Sequence, residues 1–208
     1  MWHPDRMPHL ETFDGRLERD GDYEGLSFDG LDLSGDDAEG ARFMDCELTG
    51  CDLDGVRLED AEILDTTLTT VRAGTLDAPD ATWRDVAIGD CRLGAVQAYG
   101  GQLTRVTIRG GKVDYLNLRD ARLDQVRIED CVLGDLDLAG ARVHGLVLDR
   151  CRVGRLDVTR AQLKDVDLRG AELAGLDGVA GLAGATISSA QLLELAGALA
   201  RHLKITVD

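Results

Sequence analysis

The 208-residue sequence has few aromatic residues, only 4% of the chain, and three prolines. It contains no apolar run approaching the roughly 20 residues of a membrane span, and its first twenty residues hold none that suits a signal peptide. The four histidines are dispersed, and no Ser/His/Asp set, Cys/His set, phosphate loop or metal-ligand spacing is present. These absences predict a cytoplasmic protein without enzyme activity, metal or cofactor.

Positive charge is scarce in the first part of the chain. Residues 1–80 contain 22 acidic and 6 basic residues, whereas residues 81–208 contain 17 of each, so the net charge of −16 lies entirely in the first segment. This sign disfavours direct binding of nucleic acid, although Arg72, Arg92, Lys112 and Arg152 recur at twenty-residue intervals. Charge that only keeps the surface soluble would explain the acidity equally well.

Apolar residues recur at every fifth position. The thirty positions from Phe28 to Leu173 are all apolar, mostly leucine with isoleucine, valine, phenylalanine, four alanines and Trp83. A second small or apolar residue lies two positions before most of them, as in Ala121-Arg-Leu123 and Ala141-Arg-Val143. This period fits neither a helix nor a flat strand. In a helix, apolar residues at every fifth position would wind round the axis, and in a strand they would point alternately to the two faces.

The five-residue period instead predicts a coil with short flat sides. Three extended residues place two side chains inward, and the other two turn a corner. From Val86 to Ala171 the first inward residue alternates between large and small, for example Val86, Cys91, Val96 and Gly101. Large side chains stack on large ones, and small on small, only if a coil has an even number of sides. The smallest coil that meets this condition has four sides and twenty residues.

The repeat resembles the A(D/N)LXX motif of the pentapeptide-repeat proteins. The resemblance implies an all-β solenoid, a right-handed quadrilateral β-helix, with a C-terminal α-helical cap. We place the β-helix at residues 23–177, an N-terminal lead-in that partly covers the first coil at 1–22, and the C-terminal helix with a short strand at 178–208.

The C-terminal segment begins with a capping-box signature, Ser188-Ser-Ala-Gln191, which predicts the start of a helix. Its apolar residues fall on one side, and Ile205-Thr-Val207 is typical of a short final strand. A lid over the last coil is the simplest interpretation. Members of the gyrase-interacting branch dimerise through C-terminal helices, so the resemblance also implies a homodimer with its interface at Leu192, Leu195, Leu199 and Leu203.

The five cysteines, Cys46, Cys51, Cys91, Cys131 and Cys151, all occupy small inward positions. Cys131 and Cys151 would stack about one strand spacing apart, which a disulfide could bridge. Thiols that point into a packed core in a reducing compartment nevertheless stay reduced in most proteins, so we expect buried free thiols.

The resemblance is strongest to the mycobacterial gyrase-protecting, fluoroquinolone-resistance-like branch. It implies a non-catalytic rod that mimics DNA, binds DNA gyrase or topoisomerase IV, and modulates that enzyme or protects it from poisons such as quinolones. The alternative is a scaffold or regulator of another protein with no topoisomerase role. We expect the partner-binding acidic face to consist of Asp32, Asp37, Glu47, Asp52, Asp54, Glu59, Asp60 and Glu62.

Overall fold

The computed structural model describes residues 10–207, so the first part of the expected lead-in, residues 1–9, lies outside the described range. In chain order the strands are β1 Glu11–Thr12, β2 Asp22–Glu24, β3 Leu26–Asp29, β4 Arg42–Met44, β5 Glu47–Thr49, β6 Val56–Arg57, β7 Glu62–Leu64, β8 Thr67–Thr69, β9 Arg72–Asp77, β10 Thr82–Arg84, β11 Ala87–Gly89, β12 Arg92–Gln97, β13 Gln102–Thr104, β14 Thr107–Arg109, β15 Lys112–Asn117, β16 Arg122–Asp124, β17 Arg127–Glu129, β18 Val132–Asp137, β19 Arg142–His144, β20 Val147–Asp157, β21 Gln162–Lys164, β22 Val166–Leu173, β23 Leu176–Asp177 and β24 Ala185–Thr186.

These strands form a four-sided coil in which each residue pairs with the one twenty positions away. Face 1 is an eight-stranded parallel sheet, β2-β4-β7-β10-β13-β16-β19-β21, with one strand from each of eight coils. Face 2 contains β3, β5, β8, β11, β14 and β17 and the start of β20. Face 3 contains the first halves of β9, β12, β15 and β18, and face 4 contains their second halves. The predicted solenoid is confirmed.

The apolar side chains that recur at every fifth position point inward and form one continuous core. Phe28, Leu33, Leu118, Leu138 and Leu148 are at most 1% exposed. Because the five-residue step repeats four times per coil, each of these side chains packs above the equivalent one of the coil below. The core therefore runs the length of the rod, and burial of a thin stack of medium-sized side chains stabilises it.

One corner of the coil departs from the uniform pattern. At the other three corners the fifth residue has a positive φ in every coil from Asp20 to Asp165. Between faces 3 and 4 this holds only at Gly35 and Gly55, and from β9 onward the strands run through the corner as six-residue segments. Glycine shifts one position earlier there: a Cβ at Gly94 would overlap the carbonyl oxygen of the preceding coil.

The residues before the first coil close its open end. Strand β1 pairs with β3, Phe13 packs 4.6 Å from Phe28 between ring centroids, and Leu17 is buried. The Leu17 N–H donates to the buried carboxylate of Asp36 at 2.8 Å. Residues 10–22 thus provide the strand pairing and apolar cover that an exposed coil end would otherwise lack.

The other end is covered by a 3-10 turn, Val179–Leu182, and by helix α1, Ser189–His202. Ser188 and Gln191 form the predicted capping box. Gln191 is also buried and donates from Nε2 to the carbonyl oxygens of Leu168 and Ala171, both at 2.7 Å. The helical cap is confirmed, and one glutamine joins it to the last coil.

The predicted final strand at Ile205–Val207 is wrong. These residues follow the helix without strand pairing, and the side chains of Ile205 and Val207 are 56% and 75% exposed. The last strands are instead β23 and β24, which pair with β20 and β22. Alternating β-branched residues favour a strand only where a sheet edge is available to pair with them.

Candidate protein-binding surface

The eight acidic residues expected to form one face are distributed over all four faces. Each coil sends its outward side chains in four directions, so acids that are close in sequence diverge in space. Asp32, Asp52 and Asp54 lie on face 3, Asp37 and Glu59 on face 4, Asp60 at the corner between faces 4 and 1, Glu62 on face 1 and Glu47 on face 2. The expectation of a single acidic face is therefore corrected.

Several of these acids are already satisfied within the chain. Asp37 pairs with Arg57 at 3.2 Å and Arg19 at 3.6 Å, and Asp52 pairs with Arg72 at 3.0 Å. All five arginines between residues 10 and 80 form such ion pairs. The acids of the N-terminal half that these pairs leave uncompensated lie at the corners of face 1 and also on other faces, as Glu47 on face 2 and Asp54 on face 3 do.

Two rows of aspartates border face 1 in that half. We call Asp20, Asp60 and Asp80, at the corner with face 4, the first acidic ridge, and Asp45, Asp65 and Asp85, at the corner with face 2, the second acidic ridge. Each residue occupies a left-handed corner with φ between 47° and 57°. Glu62 lies on the face between the ridges. We define the ridges and the face between them as the acidic arm.

Backbone conformation explains why aspartate occurs at these corners, because aspartate tolerates positive φ better than most residues. It does not explain the sign of the charge. Equivalent corners in the C-terminal half hold Arg105 and Arg160 with φ of 53° and 59°, and others hold glycine. The concentration of negative charge at the corners of the first coils is therefore not a requirement of the fold.

A family model for the pentapeptide repeat region matches residues 41–118. The matched segment shares its twenty-residue register with the coils before and after it, from the pairing of β2 with β4 to that of β19 with β21. The chain contains a pentapeptide repeat region. The resemblance inferred from the repeat alone is confirmed.

Solved structures of other pentapeptide-repeat proteins show low similarity to the chain. A trypsin-treated form of QnrB1, a plasmid-mediated fluoroquinolone resistance protein, is 18% identical with a TM-score of 0.34, over 96% of this chain and 99% of that one. HetL, involved in heterocyst differentiation regulation in the cyanobacterium Nostoc sp. strain PCC 7120, is 16% identical with a TM-score of 0.27, over 76% and 91%. No curated protein sequence matches the chain. At these values the likenesses carry no argument about binding.

Within the pentapeptide-repeat coil, the second acidic ridge concentrates like charge. Burial and the neighbouring carboxylates of Asp85 and Asp45 raise the pKa of Asp65. The ridge ends where Arg105 donates to Asp85 from Nε and Nη2 at 2.6 and 2.5 Å, which lowers the pKa of Asp85. The neighbouring carboxylates thus add to the effect of burial in opposing the ionised form of Asp65.

Charges in the C-terminal half are mostly paired across neighbouring coils. Arg150 donates to both carboxylate oxygens of Asp130 at 2.6 and 2.8 Å, and Arg119 donates to the buried Asp137 at 2.5 Å. The basic column on face 3 is also compensated in part, since Lys112 pairs with Asp114 at 2.6 Å and Arg152 with Glu172 at 3.3 Å. Among residues 10–207, however, Arg92, Arg122, Arg142 and Arg160 form no ion pair, so the basic charge of this half is compensated only in part.

The cysteines are free and buried, which confirms the prediction of core thiols. Burial raises the pKa of the Cys46, Cys51 and Cys91 thiols. Among residues 10–207, no group of three or more His, Cys, Asp or Glu side chains is arranged to hold a metal ion. In the same range no helix is long and apolar enough to cross a membrane.

The four leucines expected at a dimer interface occupy different positions on α1. Leu195 is buried against the coil, Leu199 is half-buried, and Leu192 and Leu203 are exposed. Leu193 is 79% exposed and lies beside Leu192. Leu195 therefore belongs to the cap rather than to a free surface, because a helix that covers the coil end must turn one side inward. The outward apolar surface of the cap consists of Leu192, Leu193 and Leu203, with Ile205 and Val207 after it.

Proposed function

We propose that this pentapeptide-repeat protein is a non-catalytic rod that binds a basic protein surface through its acidic arm. The observation that carries the proposal is the pair of aspartate ridges on either side of face 1. The arginines between residues 10 and 80 are already paired, and Arg84, on face 1 between Asp80 and Asp85, is a basic side chain within the arm that forms no ion pair among the described residues. Uncompensated charge of one sign along a rigid edge favours a partner of opposite sign and speeds its association.

The specific partner we propose is a type II topoisomerase, DNA gyrase or topoisomerase IV, in the cytoplasm. Its DNA-binding surface is basic, and the arm offers two parallel rows of carboxylates as a duplex offers two rows of phosphates. Adjacent coils are about 4.8 Å apart, so the six aspartates of the ridges, spread over four coils, carry about one charge per 3.2 Å of axis, compared with about one per 1.7 Å for DNA. The arm is therefore a weaker mimic of the same kind, and binding it would compete with DNA for the enzyme.

We further propose that two copies associate through the outward apolar surface of the cap. Leu192, Leu193 and Leu203, with the edge of Leu199, form a contiguous apolar patch at the end opposite the acidic arm. A two-fold axis through this patch would place the arms at the two ends of an elongated dimer. Light scattering should give twice the 22.4 kDa chain mass, and Leu192→Ser with Leu193→Ser should give the chain mass itself.

The experiment for the topoisomerase hypothesis is DNA supercoiling by purified gyrase with increasing amounts of the protein, with and without a quinolone. A ridge variant carries Asp60→Asn, Glu62→Gln, Asp65→Asn and Asp80→Asn. A matched control removes the same charge from exposed acids outside the arm that have no arginine or lysine partner: Asp90→Asn, Asp135→Asn, Asp165→Asn and Glu194→Gln. The wild type and the control should change supercoiling or quinolone-induced cleavage, and the ridge variant should not.

A wild-type protein without effect on either reaction would refute the topoisomerase hypothesis. In that case the alternative of a scaffold or regulator for another protein stands, because the acidic arm would still require a basic partner. The same two variants then serve as bait in a pull-down from the native cytosol. A partner retained by wild type and control but lost with the ridge variant would identify it.

A further inference from the structure

An exposed tyrosine lies at the inner end of the acidic arm. Among residues 10–187 only two large apolar side chains are exposed, Tyr99 at 44% and Val132 at 42%. Tyr99 is the one exposed aromatic residue in the part of the chain that the structure describes. Tyr115 is half-buried, with its hydroxyl 3.3 Å from Asp137. A tyrosine ring contributes much binding energy when it is covered at an interface and little stability to a surface left in water.

The surroundings of this ring are acidic. Tyr99 precedes Gly100, which occupies the corner position in line with the first acidic ridge, and the Asp80 N–H donates to the Tyr99 carbonyl at 2.9 Å. The Asp80 carboxylate extends over the Cα of Gly100, where a side chain would collide with it. Asp60 and Asp120 continue the same line, and within residues 10–207 none of these three acids has an ion-pair partner.

The arginine one coil beyond does not compensate this group. Arg119 lies one coil beyond Tyr99, and its backbone carbonyl accepts the Gly100 N–H at 2.8 Å. Its guanidinium is directed to Asp137 at 2.5 Å and Asp157 at 3.8 Å, toward the following coils. The ring and the carboxylates of Asp80 and Asp120 are therefore left to an external cation.

We propose that Tyr99 is the aromatic anchor of the partner-binding surface and receives an arginine side chain of the partner protein. A guanidinium can stack flat on a tyrosine ring while its N–H groups donate to a neighbouring carboxylate, which an ammonium group does less well. The inference rests on the proposed function in one respect, that the acidic arm binds a protein. It adds the residue at which binding energy concentrates and the side chain that the partner supplies.

The same geometry disfavours a nucleic acid at this place. Stacking of a base on Tyr99 would bring its phosphates among Asp60, Asp80 and Asp120, and carboxylate–phosphate repulsion opposes that approach. A protein that presents arginine brings the opposite charge. Binding of a single-stranded oligonucleotide that Tyr99→Ala abolishes would overturn the assignment.

The first experiment uses two peptides of equal length, hexa-arginine and hexa-lysine, titrated into the intact protein and followed by calorimetry at low salt. The wild type should bind the arginine peptide more tightly by about two- to fivefold, the range of an exposed cation–π contact. Tyr99→Ala should remove this preference, Tyr99→Phe should retain it, and Val132→Ala is the matched control at the other exposed site. Equal affinities in the wild type, or a preference that survives Tyr99→Ala, would overturn the proposal.

The second experiment separates this inference from the function on which it rests. Affinity for purified gyrase is measured for the wild type, Tyr99→Ala and the ridge variant over a range of salt. Tyr99→Ala should weaken binding at least fivefold with the salt dependence unchanged, whereas the ridge variant should reduce the salt dependence. If Tyr99→Ala binds gyrase as tightly as the wild type while the ridge variant binds more weakly, the anchor is overturned and the acidic arm stands. If the ridge variant binds gyrase as tightly as the wild type, the acidic arm is overturned, and the peptide titration then tests the anchor by itself.

Discussion

Gln191 should carry much of the stability of the helical cap. Its side chain makes three buried hydrogen bonds: Nε2 donates to the carbonyl oxygens of Leu168 and Ala171, and Oε1 accepts from the Ser188 N–H, each at 2.7 Å. Gln191→Leu keeps a similar volume and removes all three. At about 0.5–1.5 kcal/mol for each hydrogen bond, we expect a loss of about 3 kcal/mol, because two buried carbonyls also lose their donor.

The assay is guanidinium denaturation followed by circular dichroism, combined with hydrogen exchange of α1. A loss of about 3 kcal/mol corresponds to a fall of roughly 6–12 °C in melting temperature if the cap unfolds together with the rod. If the cap is released alone, exchange should accelerate in α1 and in the last coil only. Glu194→Ala, an exposed change on the same helix, is the control. A Gln191→Leu protein that is within 0.5 kcal/mol of the wild type and also has unchanged hydrogen exchange in α1 would refute the assigned hydrogen bonds.

Three further predictions test the coil. Leu118→Asp should prevent folding because it buries an unpaired charge in a dry core, whereas the exposed Arg122→Ala should cost under about 0.5 kcal/mol; equal melting of the two would contradict the register. Folding raises the pKa of Asp65, so the ionised carboxylate destabilises the folded rod. In urea denaturation, Asp65→Asn should therefore be more stable than the wild type at pH 7. The two should be equally stable near pH 3, below the ordinary aspartate pKa of about 3.9. The five thiols should react with a thiol reagent only as the rod unfolds, and rapid labelling of the native protein would show that they are not in the core.

The core could be predicted from the sequence because inward positions recur without a single insertion. The five-residue step determines which side chains point inward, and steric filling of a narrow interior admits little besides leucine, isoleucine, valine and small residues. The same periodicity could not reveal that one corner changes its conformation at Gly74, because the side-chain spacing is unaffected. The sequence does contain an indication of this change, because glycine occupies the fourth position of the five-residue repeat, instead of the fifth, at Gly74, Gly94 and Gly134.

The binding surface was harder to predict, because outward positions are under weak physical constraint. Counting charge located the acidic half, but sequence proximity did not show which acids face the same direction. Among the ridge residues only Asp60 belongs to the eight expected acids, because the repeat alone does not show which corners border the same face; the others are Asp20, Asp45, Asp65, Asp80 and Asp85. Likewise, the expected strand at Ile205–Val207 depended on a partner strand that local propensity cannot supply.

The central claim is that the aspartate ridges bind the partner, and the most direct measurement is the equilibrium affinity for purified gyrase as a function of salt. The wild type and the control with four neutralised acids outside the arm should bind alike, with affinity falling steeply as salt rises. The variant that neutralises Asp60, Glu62, Asp65 and Asp80 should bind weakly and with a shallower salt dependence, while its melting temperature is not reduced. Equal affinity and equal salt dependence for the two variants would contradict the claim.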